Sequence, residues 1–318
     1  MNKENIKPLV SIIIPCYNYG QYIEKCIQSV LNQTYKSIEV IVVDNGSTDD
    51  SLEKIRTFSH DSRVIIIELK ENIPPGSGTN SAFRIAFNKS NGNYIGILYA
   101  DDWYLPDKIE EQIDLFDKLP NSVGIVYCHG YRYSEKYKTK VEWKYQSVRG
   151  YVFKDYLLRG DVVIPISPLV KRYCYDIIGV DNDWIGSEYD YFVMSQYVDF
   201  DYVDEHLVVM RVHDKNDRFN YLSVYERVKR YDNKALTTGS AIARGGRLLI
   251  NKRRAAKYIT FAFDFIVIMR DMENGFLAIQ EGVKFFPFYL IRPKVLAALV
   301  LIIMPVKISN FILNKYAN

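Results

Sequence analysis

The sequence predicts a doubly wound α/β domain, a mainly parallel sheet with helices on both faces, followed by a helical C-terminal extension. Three observations carry this. Short apolar runs alternate with helix-period segments from Val10 to Tyr127, at about thirty residues per unit, which is the signature of βαβ crossovers. The apolar runs end in polar clusters, as the carboxyl edge of such a sheet does when it holds a ligand. Beyond Tyr221 the pattern turns helical and basic.

Val10 to Ile14 is a continuous apolar run stopped by Pro15, as expected for a strand buried on both faces. Ile23, Ile27, Val30 and Leu31 then fall on one helical stripe. Ile38 to Val43 is a second buried strand, and Asn45-Gly46 turns the chain. Ser47, Thr48 and Asp49 offer N-caps to a helix carrying Leu52 and Ile55. Val64 to Leu69 reads as a third strand, followed by a Pro-Pro-Gly-Ser-Gly loop and a helix with Ala82, Phe83, Ala86 and Phe87. Tyr94 to Leu98 is a fourth strand, Ile109, Ile113 and Phe116 mark the next helix, and Val123 to Tyr127 is a fifth strand. From Lys136 to Arg159 the Tyr-, Lys- and Trp-rich pattern predicts loops or antiparallel strands capping the sheet. Ser187 to Met194 reads as helix and Leu207 to Val212 as strand.

Composition narrows the function. The 318 residues exceed one typical domain, and 48% apolar with 25% charged content is that of a globular chain. A net charge of +3 gives no case for nucleic acid. The 26 tyrosines suit sugar or base pockets, although compositional drift accounts for them more simply. Cys16, Cys26, Cys128 and Cys174 form no CxxC pair, which argues against a zinc site or a disulfide scaffold and fits a reducing compartment. The polar N-terminus runs straight into a strand, so no signal peptide is expected and the cytoplasm is the expected location.

The strand ends supply the chemistry. Asp44 leaves a buried strand at a tight turn, placed to accept hydrogen bonds from a base or ribose; alone, such a turn is more often only a turn. Asp101 and Asp102 are adjacent carboxylates with no basic neighbour in sequence. A hard divalent cation would neutralise them and take diphosphate oxygens as further ligands; the plainer alternative is that Asp102 caps a helix beginning near Pro106. No GxGxxG follows the first strand and no GxxxxGK[ST] occurs, which excludes nicotinamide-dependent oxidoreductases and P-loop phosphotransferases. PCYNYG is also unlike the glycine-rich, basic loop of sugar nucleotidyltransferases.

Five segments, SIIIPCYN, SVLNQTY, EVIVVDNGSTDDS, GNYIGILYADDWYLPDKI and YVDEHLVVMRVHDKN, together resemble the inverting family 2 glycosyltransferases of GT-A fold. The resemblance runs from Val10 to His213, and any one segment alone would be weak. It implies a catalytic domain over residues 1–220, with a nucleotide-sugar half to about 130 and an acceptor half beyond, and a C-terminal region over 221–318. It implies that Pro15, Tyr17, Asn18, Asp44 and Ser47 bind the donor nucleotide, and that Asp101 and Asp102 hold a divalent metal (Mn2+ or Mg2+) and the donor phosphates. His213, in Arg211-x-His213, would join the metal or diphosphate, and Arg84, near Asn80, would pair with a phosphate unless it lies on a solvated helix face. Glu188 or Asp190 would be the catalytic base, with Glu188 favoured. Two positions depart from the family pattern: Tyr99 stands where a further Asp is common, and Tyr189 where the base pair usually has Asp. Those departures keep a rival in view, a catalytically silent protein that binds nucleotide-sugar or a partner.

The activity so implied is transfer of a sugar from a nucleotide-sugar, UDP-linked by family preference, to a glycan or lipid-linked acceptor in surface polysaccharide assembly. The tail adds a membrane option. Arg244, Arg247, Lys252, Arg253, Arg254 and Lys257 are basic, and Val295 to Met304 is apolar but shorter than the roughly 20 residues that span a bilayer. A helix of this kind suits the interface plane, which would place the protein peripherally at the inner face of the plasma membrane. The alternative is packing onto the catalytic domain or a dimer partner.

Overall fold

The computed structural model describes residues 7–73, 81–179, 188–216, 221–236 and 239–304. The chain divides into two compact units, Met1–Asp214 and Lys215–Asn318.

The first unit opens with β1 (Val10–Cys16), α1 (Gly20–Leu31), β2 (Ile38–Asp44), α2 (Ser51–Arg56), β3 (Val64–Glu68), α3 (Ala82–Lys89) and β4 (Tyr94–Ile97). β3, β2, β1 and β4 lie side by side, all parallel. β1 and β2 are apolar because both faces are covered: Ile12, Ile13, Ile14, Val40, Ile41, Val42 and Val43 are all fully buried. Each such side chain contributes about 1.5–3 kcal/mol by leaving water. α1 buries Ile23, Cys26, Ile27, Val30 and Leu31, the stripe its sequence spacing predicts with Cys26 added. Its start has no side-chain cap of its own. Instead the Tyr19 N–H donates to Ser51 Oγ and the Gly20 N–H to Asp49 Oδ2, both at 3.0 Å, so the turn after β2 satisfies the helix's open donors. Asp49 therefore serves two helices, since its Oδ1 also accepts from the Ser51 N–H of α2.

Pro15 does not end β1. The strand stays paired with β2 through Cys16↔Asp44, but its pairing with β4 ends at Ile13↔Ile97. By Pro15 the β4 side has already peeled away, so the missing proline N–H removes no ladder bond there. That divergence lies between β1 and β4, where the strand order reverses. It is the crevice at which open α/β sheets bind ligands.

The rest of the unit comprises β5 (Trp103–Tyr104), α4 (Lys108–Phe116), β6 (Val123–Ser134), β7 (Thr139–Trp143), α5 (Phe153–Arg159), β8 (Leu169–Lys171), α6 (Tyr173–Ile178), α7 (Glu188–Met194) and β9 (Asp199–Val212). Beyond β4 the sheet is mixed. β8 is antiparallel to β4 and to β6, β9 is parallel to β6, and β5 is antiparallel to β9. The fifth apolar run is only the first part of β6, which continues to Ser134 alongside β9 and carries β7 as an antiparallel neighbour. The capping strand expected between Lys136 and Arg159 is this β7, but the last part of that stretch, expected as loop or strand, is the helix α5.

The second unit contains α8 (Tyr221–Leu236), α9 (Gly239–Gly245), α10 (Arg247–Phe263), a π-helical turn (Asp264–Met269), α11 (Met272–Phe285), a 3-10 turn (Pro287–Ile291) and α12 (Pro293–Ile303). Tyr225 of α8 packs its ring against Tyr258, Phe261 and Phe265. α11 approaches closely at Gly275, where a Cβ would stand 2.4 Å from Ile266 Cγ1. Among the described residues no helix is long and apolar enough to cross a membrane.

Candidate functional site

Three neighbouring parallel strands deliver the polar residues to one edge. After β1, Asn18 adopts φ 57°, a left-handed conformation that asparagine tolerates better than most residues. In that pose its N–H donates to Ser47 Oγ at 3.0 Å and its Oδ1 accepts from the Thr48 N–H at 2.8 Å, locking the first loop to the second. Asn18 and Ser47 thus brace each other, while Tyr17 stands exposed beside them and Pro15 is half-buried. Gly46, at φ 73°, lies against the backbone of Glu71 and Asn72, where a Cβ would meet Glu71 C at 2.5 Å.

Asp44 sits beneath this clamp, 1% exposed. Its Oδ2 accepts from the Ser47 N–H at 3.2 Å, while its Oδ1 is buried without a hydrogen-bond partner. A buried carboxylate oxygen with no donor is costly, and in a native protein such an atom calls for an explanation, a bound ligand, ion or water among them.

After β4 the chain turns through Tyr99 and Asp102, the Asp102 N–H donating to Tyr99 O at 3.0 Å. Asp101 and Asp102 are both buried, at 8% and 3% exposure. Asp102 does not cap α4, whose N-cap is Asp107; its Oδ1 accepts from the backbone N–H of Arg211 at 2.8 Å. The end of β9 therefore holds the acidic turn. Arg211 Nε donates to Asp101 O at 3.0 Å, and His213 Nε2 lies 3.0 Å from Asp101 Oδ2. Tyr99 is half-buried and packs against the hydrophobic core.

A collar that the sequence did not reveal surrounds Arg211. Its guanidinium lies 4.5 Å from the Tyr22 ring centroid and 5.0 Å from Trp103, and its Nη1 is 3.6 Å from Glu135 Oε1. The Tyr22 hydroxyl donates to Glu135 Oε2, and the Tyr22 and His213 rings are 4.8 Å apart. Burial and the Glu135 carboxylate push the Tyr22 hydroxyl's pKa up, so it stays a donor. Lys25 Nζ covers the Trp103 ring at 3.3 Å, and burial with the nearby Arg211 charge lowers its pKa. Burial also raises Cys16 to about 12, which keeps it a thiol and no nucleophile.

The other named residues lie elsewhere. Arg84 is in the first turn of α3, half-buried with Nη1 shielded from solvent, so it is not on a solvated face; its N–H donates to the N-cap Ser81 Oγ. Asp190 is fully buried in α7, close enough to Tyr175 for its charge to help raise that hydroxyl's pKa, after the larger effect of burial. Glu188 begins α7, and its side chain lies outside the described residues, as do Asn80, the Pro-Pro-Gly-Ser-Gly loop and residues 186–187.

The donor set fits one kind of divalent cation. Among the described residues no three His, Cys, Asp or Glu groups converge on a metal point, which speaks against a closed protein cage. Asp101 Oδ2 and His213 Nε2, 3.0 Å apart, have the spacing of adjacent ligands on an octahedral ion with bonds of about 2.1 Å. One carboxylate and one imidazole beside a buried carboxylate suit a transition ion such as Mn2+ better than the all-oxygen Mg2+, its shell completed by diphosphate oxygens and water.

Residues 11–168 match the profile of Glycosyl transferase family 2. A glycosyltransferase of Rickettsia typhi is 35% identical over 243 residues, covering 71% of this chain and 72% of that protein. One from Methanocaldococcus jannaschii is 28% identical over 242 residues, covering 73% of this chain and 79% of that protein. The chain belongs to glycosyl transferase family 2. It is a glycosyltransferase with a GT-A type fold and a helical C-terminal extension. Among solved structures, Staphylococcus aureus TarS 1–349 with UDP-GlcNAc matches at TM-score 0.66 and 14% identity, covering 92% of this chain and 90% of that one. The Pyrobaculum calidifontis mannosyltransferase PcManGT with GDP-Man and Mn2+ matches at 0.59 and 16%, covering 93% and 86%.

Proposed function

We propose that the protein transfers a sugar from a UDP-linked donor to a hydroxyl of a glycan or lipid-linked acceptor, with inversion and with a divalent cation, in surface polysaccharide assembly. One observation carries the reading. Asp44, Asp101 and Asp102 stand at the carboxyl edge of adjacent parallel strands, around the β1/β4 divergence, and Asp44 offers a buried oxygen with no partner. UDP-GlcNAc in TarS and GDP-Man with Mn2+ in PcManGT support a nucleotide-sugar and a metal.

In this reading Asp44 Oδ1 accepts from the base or ribose. Pro15 and Tyr17 line that pocket, with Asn18 and Ser47 fixing its walls. Asp101 and His213 would hold the cation, with the Asp102 carboxylate beside them adding negative charge, and the ion when bound would offset charge developing on the departing diphosphate. Arg211 sets the acidic turn through Asp101 O and its own backbone N–H. Glu188 takes the acceptor proton as the hydroxyl attacks the anomeric carbon from the face opposite the leaving group. Asp190, wholly buried near Tyr175, is the second candidate for that base. Arg84 meets a donor phosphate. The catalytic domain is assigned to residues 1–220. The C-terminal helices rest on the inner face of the plasma membrane, where lipid-linked acceptors are met.

The test is release of nucleoside diphosphate from UDP-, GDP- and dTDP-sugars with Mn2+, Mg2+ or EDTA, with and without acceptor glycans. Metal-dependent release from a UDP-sugar is expected. Release from no donor would favour the silent alternative, a nucleotide-sugar binder if nucleotide still binds and a partner binder if it does not.

A further inference from the structure

The second unit contains a cavity lined by none of the residues assigned to sugar transfer. It has a volume of about 910 Å3, within the range of small-molecule sites, and is bounded by α10, the π-helical turn, the 3-10 turn and α12. Phe263, Val267 and Val295 line it with apolar surface. Arg292 and Lys294 also line it, and both are exposed, so they stand where the cavity opens. Neither makes an ion pair among the described residues. The Arg292 guanidinium lies 4.2 Å from the Tyr289 ring centroid, a cation–π contact at the mouth of the cavity. Asp264 is the one acid on the described wall, and burial raises its pKa, which weakens its opposition to an anion.

The rim is apolar as well. On α12, Leu296, Val300 and Ile303 are exposed at helical spacing, while Val295 and Ala298 face inward. Phe288 and Ile291, just before them, are 70% and 73% exposed. An apolar cavity, two cations at its opening and an apolar rim complement an amphiphile with an anionic head and an aliphatic tail.

We propose that this cavity receives one acyl chain of an anionic phospholipid from the bilayer, with the head phosphate on Arg292 and Lys294 and the α12 stripe lying in the interface. The site rests on the membrane-surface reading of the C-terminal helices and makes it specific. It explains why so short an apolar helix carries cations at its start.

The experiment is co-flotation of the full chain with vesicles of phosphatidylglycerol and phosphatidylcholine, and of phosphatidylcholine alone. Binding to the anionic vesicles is expected, weakened roughly 30-fold in R292Q/K294Q through loss of two surface cations. Ala297 lines the cavity, so Ala297→Phe, which leaves every charge in place, is expected to weaken binding and to abolish retention of phosphatidylglycerol in native mass spectrometry. Wild-type binding and lipid retention by Ala297→Phe would overturn the cavity site while leaving surface attachment standing. No binding to either vesicle would overturn both.

Discussion

Replacing Asp44 with Asn separates the two things this residue can be, a turn-forming cap or a ligand for a nucleotide. The carboxylate is 1% exposed, makes one long hydrogen bond to the Ser47 N–H at 3.2 Å, and leaves Oδ1 with no partner. Asparagine keeps an oxygen for the Ser47 N–H and removes a buried charge, but puts an unpartnered NH2 where Oδ1 was. These effects oppose one another, so the unfolding free energy is expected to stay within about 1 kcal/mol of wild type. Binding should behave differently. A hydrogen bond from a base or ribose to a charged acceptor is worth about 1.5–3 kcal/mol, which is roughly 10- to 150-fold in Kd. Calorimetric titration with UDP, GDP and dTDP reads the second quantity, and thermal unfolding followed by circular dichroism reads the first. A variant that loses more than about 2 kcal/mol of stability but binds nucleotide unchanged would refute the reasoning and make Asp44 a structural cap.

Other consequences follow from the same contacts. Glu188→Gln should lower kcat by roughly 10²- to 10⁴-fold with the donor KM little changed, as loss of a general base does; steady-state kinetics with a glycan acceptor would check this, and an unaltered kcat would remove Glu188 from the chemistry. Lys108 is fully buried on α4, with Nζ 2.8 Å from Gln112 Oε1, and burial lowers its pKa to about 8. Between about pH 8 and its ordinary 10.5 the unfolded chain binds the extra proton, so this group makes stability rise with pH in that window, by up to about 3 kcal/mol. The stability difference between wild type and Lys108→Met, from urea titrations at pH 7.5 and 9.5, should shift in the wild type's favour at the higher pH; no shift contradicts the assignment. Gly275→Ala would set a methyl 2.4 Å from Ile266 Cγ1. Overpacking of about 1–3 kcal/mol should outweigh the roughly 1 kcal/mol that alanine gains in a helix, and a raised urea midpoint would contradict the close approach.

How far the fold could be read from sequence follows from where each strand sits. β1 and β2 announce themselves as apolar runs because both of their faces are buried. β6 does so only as far as Tyr127, and the rest of the strand, Cys128–Ser134, carries no such apolar run. That stretch is strand because β9 and β7 flank it, a tertiary effect that propensity does not carry. β8, of three residues, is too short for any periodicity. The crevice was legible because its acids cluster at strand ends. The collar was not: Tyr22 and Glu135 meet across 113 residues of chain, and neither stands in a motif. The proline rule also misread β1, since it assumed ladder partners on both sides of Pro15.

The central claim is that the Asp101–Asp102 turn receives a nucleotide through a divalent cation, and nucleotide affinity measured with and without metal tests it most directly. UDP should bind wild type at least tenfold more tightly with Mn2+ than with EDTA, and in Asp102→Asn the two affinities should converge. Equal affinity in Mn2+ and EDTA for the wild-type chain would contradict the account.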